Sequence, residues 1–271
     1  MWEPPSSRSR GADLSVSRSD LTRVNLTAAW VFLSMPSHGF GGMVRDVRWL
    51  LVPAACLLAF MVALGLLLTD VLPATALGRW DGEVPRRLVE YRQQEGISGS
   101  KLITTLSETL TIITLTVLAA AVFRWMFGRW RESLVVIYAV VGETAIFTAT
   151  TLFIDRPRPS VPHLDEAPPT SSFPSGHTAA AVCFYGSIAA VILWHNRHRW
   201  IKVAAVVICA AVPVMIAGSR VFRGMHYPTD VLAGALLGAI WLTVVIYYVR
   251  THDAGGRRHA AVDADRRLVS G

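Results

Sequence analysis

Two short segments carry most of the side chains that could do chemistry. One begins Asp155-Arg156-Pro157-Arg158-Pro159 and reaches Pro174-Ser175-Gly176-His177; the other reads Ser219-Arg220, five residues, His226, three residues and Asp230. Each ends where a long apolar run begins, so each is expected to close on the N-terminus of a helix. Unpaired N–H groups and the positive end of the macrodipole make such positions anion sites. Arginines, two histidines, a serine and an aspartate gathered there suit a phosphate.

The spacing suggests roles. His226 and Asp230 are four residues apart with Pro228 at the first helical position, so the pair can share one helix face. Asp230 would then accept from one imidazole nitrogen and fix the tautomer, leaving the other lone pair free to attack phosphorus. Read alone, Asp230 serves equally as a helix cap. His177, first in its helix, could protonate a departing alkoxide, which leaves poorly without a proton. Ser175 and Gly176 offer a hydroxyl and an unobstructed amide to a phosphate oxygen, although the same four residues also read as a turn before a helix. Arg158 and Arg220 can neutralise phosphoryl oxygens through bidentate donors, or simply anchor at a membrane surface. Both patterns, in order, at successive loops favour the chemical reading of each.

The elements that must position these residues belong to a membrane protein. Of 271 residues, 52% are apolar and 17% charged, against about 25% charged in a soluble domain. Mean hydropathy is +0.42. The apolar residues are bunched into six runs, 49–72, 102–127, 134–154, 177–194, 201–218 and 228–249. Runs near 20 residues cross about 30 Å of hydrocarbon as helices. The expected fold is therefore all-α, a polytopic bundle of six transmembrane helices with the chemistry at the extracytoplasmic helix ends. The net charge of +7 does not form a stripe, so no nucleic-acid partner is expected. Cys56, Cys183 and Cys209 lie inside apolar runs without metal-ligand spacing and read as buried hydrophobes.

Seventeen of the 26 Lys and Arg residues fall on the side that holds both termini, which places the termini in the cytoplasm and the chemistry outside. The expected organisation is a disordered or interfacial tail over 1–45, a six-span domain over 46–250, and a disordered cytoplasmic tail over 251–271. Met43 directly precedes the first span and is an alternative start to Met1, which N-terminal sequencing of expressed protein would decide. Glu108 and Glu143 fall within expected spans. An unpaired charge is expensive there, and hydrogen-bonded structural roles are expected for both.

The segments Pro174–His177 and Ser219–Asp230, with Arg158-Pro159, resemble the motifs of the type 2 phosphatidic acid phosphatase superfamily, membrane lipid phosphate phosphatases that share their site with vanadium haloperoxidases. The resemblance covers about residues 49–249. It implies a metal-independent phosphatase with no cofactor, in which His226 accepts the phosphoryl group, Asp230 orients it and His177 is the general acid. Arg158, Ser175, Gly176 and Arg220 would hold the phosphoryl oxygens. The implied substrate is a membrane lipid, whether phosphatidic acid, phosphatidylglycerol phosphate or a polyprenyl diphosphate, and the lipid bilayer is the partner. Thr151 departs from the motif, which has Lys there; Arg156 or Arg223 is the expected substitute. A phosphotransferase using the same site, or a non-catalytic lipid-phosphate binder, are the alternatives.

Overall fold

A bilayer leaves no water for backbone N–H and C=O groups, so apolar runs must pair them internally as helix. The computed structural model of the chain describes residues 46–269 apart from residue 168, and the described residues contain helices and loops but no strand. The tail expected over 1–45, with the alternative start at Met43, lies outside them.

A 3-10 turn leads into α1 (Leu51–Leu66), which continues through a π turn and stops at a 3-10 turn containing Pro73. Two shorter helices follow, α2 (Ala76–Glu90) and α3 (Gln94–Thr105). The Thr75 hydroxyl caps α2 by accepting from the Gly78 amide at 3.1 Å. Five long helices complete the chain: α4 (Thr109–Phe127), α5 (Arg131–Phe153), α6 (Gly176–His195), α7 (Arg199–Phe222) and α8 (Pro228–Val269).

Among the described residues, six helical stretches are long and apolar enough to cross a membrane, beginning with Val47–Ala74 and ending with Pro228–Thr251. They match the six expected runs with one shift. The second span starts at Thr109 rather than residue 102, because α3 ends at Thr105. Hydroxyls in this stretch compete for the backbone. Thr105 Oγ1 donates to the Lys101 carbonyl and Ser107 Oγ to that of Thr104. Glu108 therefore sits at the N-cap of α4, outside the span. At the other end, α8 runs on to Val269 where a disordered tail was expected. Four Ala and four Arg residues, good helix formers, lie in residues 252–269 beside the Gly255-Gly256 pair.

The inner helices are α5, α6 and α8. Val135, Val136 and Ala139 of α5 are buried in one cluster with Cys183 of α6 and Leu237, Trp241 and Val245 of α8. The Trp241 indole donates to the Tyr138 carbonyl at 3.0 Å. Around them, α1, α4 and α7 expose large apolar side chains such as Leu110, Val117, Val207 and Val214. Lipid is the medium that such a surface requires. At the helix ends remote from His226, buried Glu132 accepts from Arg129 and pairs with His195.

Helices α6 and α8 touch closely where the chemistry-bearing residues begin. A Cβ on Gly234 would lie 2.4 Å from the Ser175 carbonyl oxygen, a backbone atom with little room to yield. Gly234→Leu is thus expected to force the helices apart and cost about 1–3 kcal/mol. Heating followed by fluorescence-detected size exclusion should show an apparent Tm several degrees lower; an unchanged profile would disprove the tight contact.

Candidate active site

Three loops converge at one end of the bundle, and a chain of buried charge holds them. Arg156, in the loop after α5, lies between two carboxylates. Its Nη2 donates to Asp81 Oδ2 of α2 at 2.8 Å, and its Nη1 donates to Thr229 Oγ1 at 2.9 Å and to Asp230 Oδ1 of α8. Asp81 also accepts from the Thr229 amide and hydroxyl. Asp230 takes two further donors, Ser172 Oγ at 2.5 Å and the Tyr227 amide at 2.9 Å.

That arrangement corrects the expected pairing of His226. Its Nδ1 lies 4.0 Å from Asp230 Oδ2, too far for a hydrogen bond, and 2.8 Å from the Ser172 carbonyl. A carbonyl only accepts, so Nδ1 carries the proton and Nε2 keeps its lone pair. Asp230 acts at one remove, by holding the Ser172 side chain whose backbone fixes the ring. The reason is the Arg156 guanidinium, which with Ser172 and Tyr227 saturates the carboxylate. Burial holds the His226 imidazole well below its ordinary pKa, and the Arg220 and Arg158 charges push it the same way. The ring is neutral at neutral pH.

His226 opens onto a cavity of about 620 Å³ that is also lined by His177, Gly176, Arg158 and Arg220. Five sequence-predicted residues thus line one cavity. Gly176 is required there because the Phe147 ring occupies the place of its Cβ, with ring atoms 2.8 to 3.1 Å away. As the first residue of α6 it presents helix N-terminal amides to the cavity. Arg158 donates Nη1 to the Met225 carbonyl at 2.7 Å and Arg220 donates Nη1 to Asp165 Oδ2 at 3.0 Å. The Nε of each is buried with no hydrogen-bond partner among the described residues. Both guanidinium groups belong to the cavity lining, so an anion entering it meets two cations.

Three expectations fail on geometry. Ser175 does not line the cavity: fully buried behind it, the side chain accepts from Thr178 Oγ1 while the amide donates to the Asp230 carbonyl. Arg156 is consumed by Asp81 and Asp230. Arg223 is consumed as completely, donating Nε and Nη2 to the two Asp165 oxygens at 2.7 Å each and Nη1 to Ser100 Oγ and the Ile97 carbonyl. Neither arginine lines the cavity, so neither replaces the missing Lys. Thr151 does not line it either, and its hydroxyl donates to the Thr148 carbonyl.

Residues that sequence reasoning missed shape the rest. Asp165 bridges Arg220 and Arg223. Burial would raise its carboxyl, but the Arg223 hydrogen bonds and the Arg223, Arg220 and Lys101 charges outweigh that and hold it at about 2. No motif marks Asp165, Asp81 or Ser172, and only their partners in space reveal them. The cavity also has apolar lining, from Ile112, Ile113, Val140 and Phe147, and Glu143 lines it too, with Oε1 buried and unpaired. Among the described residues no three His, Cys, Asp or Glu side chains are grouped to hold a metal.

A model of the PAP2 superfamily matches residues 105–254. Phosphatidylglycerophosphatase B of Bacillus subtilis is 36% identical over 98 residues, covering 34% of this chain and 46% of that protein. An undecaprenyl-diphosphatase of the same species, BcrC, is 34% identical over 129 residues, covering 43% of this chain and 58% of its own length. The chain spans about half the length of these curated relatives. The crystal structure of a transmembrane PAP2 type phosphatidylglycerolphosphate phosphatase from Bacillus subtilis aligns with a TM-score of 0.64 at 25% identity, covering 72% of this chain and 96% of that one.

Asp81→Ala would leave Arg156 buried with half its partners. Removing one member of a buried ion pair costs about 3–5 kcal/mol. The variant is expected to lose most of its folded yield, read by size exclusion in detergent, and an unaltered yield and apparent Tm would refute the stabilising role of this pair.

Proposed function

The chain belongs to the PAP2 superfamily, whose model matches more than half of it, and on that premise we propose that it is a metal-independent phosphatase of membrane lipid phosphates or diphosphates that works through a phosphohistidine on the outer face. The observation that carries this reading is the coincidence, in the lining of one cavity, of a neutral His226 with Nε2 unprotonated and the two arginines Arg158 and Arg220.

The steps follow from these positions. A phosphoryl group bound between Arg158, Arg220 and the amides at the start of α6 presents phosphorus to His226 Nε2. The lone pair forms the N–P bond as the bond to the leaving oxygen breaks, and the leaving oxygen takes up, through His177, a proton that enters with the phosphate monoanion. The products are a phosphohistidine and a free lipid alcohol, or a lipid monophosphate when the substrate is a diphosphate. Attack on phosphorus makes the ring cationic, and the Ser172 carbonyl and the nearby Asp230 carboxylate stabilise that charge. Water, deprotonated by His177, then cleaves the N–P bond and restores the neutral ring. Positive charge for the transition state comes from arginine and helix dipoles.

A membrane lipid fits the cavity because its polar end adjoins an apolar stretch between α4 and α5. Ile113 lines the cavity and is also half exposed on a membrane-spanning helix, so the apolar wall continues into the lipid-facing surface. Phosphatidic acid, phosphatidylglycerol phosphate and a polyprenyl diphosphate all present the required phosphate. The excess of Lys and Arg on the side of both termini supports cytoplasmic termini and an extracytoplasmic site.

The test is phosphate release from a panel of these lipids by purified protein in detergent with EDTA, beside His226→Ala. Release that persists in EDTA and falls at least about 1,000-fold in the variant is expected, since losing a nucleophile costs on that order or more. No release from any lipid by either protein would favour a non-catalytic lipid-phosphate binder. The pH dependence is a second check. Because the His226 pKa is lowered on folding, the ring stays in its reactive neutral form as pH falls through the ordinary imidazole value of about 6.5, and the acid limb of kcat/KM should lie below that value. A limb at or above it would contradict a buried, neutral nucleophile.

A further inference from the structure

Resting on the phosphatase reading, we propose that Lys101 of α3 is a substrate-phosphate ligand, supplying from the preceding segment the cation that Thr151 does not provide. The need is geometric. Thr151 is neutral and turned to its own helix, and Arg156 and Arg223 are fully consumed by carboxylates. Two cationic side chains thus face His226 from the motif segments, Arg158 and Arg220.

Lys101 lines the same cavity as these arginines. Its Nζ is 3.2 Å from Glu108 Oε1 and 3.5 Å from Asp165 Oδ1, while Arg220 Nη1 holds the other oxygen, Asp165 Oδ2, at 3.0 Å. Lys101 and Arg220 therefore grip two oxygens carried by one atom, the pattern that a phosphoryl group also presents. Asp165 keeps its bidentate partner Arg223 when the other two let go, so an arriving phosphate can take Lys101 and Arg220 without leaving that carboxylate unpaired.

The placement of Lys101 is built in. Ser219, the first residue of its motif, is not at the phosphate site at all; it ties α7 to α3. Ser219 Oγ donates to the Ser100 carbonyl at 2.7 Å and shares a hydrogen bond with Thr104 Oγ1 at 2.7 Å. Arg223 adds bonds to Ile97 and Ser100. Residues on either side of Lys101 are thus clamped to the helix that carries Arg220. The Lys101 side chain itself is 55% exposed, and its flexible stem leaves Nζ free to move from carboxylate to phosphate.

The experiment compares wild type with Lys101→Met, Lys101→Arg and Lys101→Met/Thr151→Lys. Two readouts are used: kcat/KM for lipid phosphate, and calorimetric binding of inorganic phosphate to purified protein in detergent. Lys101→Met is expected to weaken phosphate binding and lower kcat/KM by about 10- to 100-fold, the range for one charged ligand. Lys101→Arg should retain most of both, and Thr151→Lys should restore much of the loss by returning a cation from α5. Unchanged binding and turnover in Lys101→Met, or a loss that neither Lys101→Arg nor Thr151→Lys repairs, would overturn the proposal. If no protein turns over any lipid but phosphate binding still depends on Lys101, the ligand role stands and the phosphatase reading falls.

Discussion

A guanidinium buried between two carboxylates governs the geometry of this protein. Arg156 is 6% exposed, Asp81 1% and Asp230 0%. Moving three such charges out of water is costly unless each is surrounded by opposite charge and hydrogen bonds, which makes the arrangement intolerant of displacement. Because the three residues come from α2, the loop after α5 and the start of α8, satisfying them brings three parts of the chain to one place. The Ser172 hydroxyl completes Asp230, and the Ser172 carbonyl then stands where His226 Nδ1 must donate. The protonation of the reactive ring is in this way a consequence of an ion cluster that never touches it.

A second cluster has a different character. Asp165 is 14% exposed, shared among Arg220, Arg223 and Lys101, and lines the cavity. Arg223 gives it bidentate bonds and ties it to α3, whereas Arg220 and Lys101 hold it with single contacts. The Arg156 cluster is suited to rigidity, and the Asp165 cluster, through the exposed Lys101, to exchange of partners. The cavity is lined by Lys101, Arg158 and Arg220 and also by apolar side chains of α4 and α5, the two kinds of surface that a lipid headgroup and its chain require.

Much of this was legible in the sequence. Six apolar runs give six spans because bilayer thickness sets helix length almost independently of tertiary contacts. His226, His177, Arg158, Arg220 and Gly176 do share one cavity, as expected of residues at the ends of adjacent loops. Loop membership could not say which way a guanidinium points, and so Arg156 and Arg223 were credited with free charge that Asp81 and Asp165 neutralise. Ser175 was credited with a ligand role, although its place is against Gly234. The partners that decide these cases are far away in the chain, 75 residues between Asp81 and Arg156 and 58 between Asp165 and Arg223, and no local pattern marks them. The start of α4 was misplaced because the hydroxyl-rich run at 104–109 has the apolar content of a span but not the backbone of one.

The close fit of α2 and α3 to the site bears on how the protein divides into parts. The family match begins at residue 105, yet Asp81, Ser100 and Lys101 precede it. A graft of residues 105–254 onto a foreign N-terminal half would carry both histidines and every motif arginine. It would also carry two guanidinium groups, Arg156 and Arg223, stripped of Asp81 and of Ser100, and a Ser219 with nothing to clasp. The boundary drawn by family likeness is therefore not a seam in the physical object: the smallest portable unit reaches back at least to Asp81.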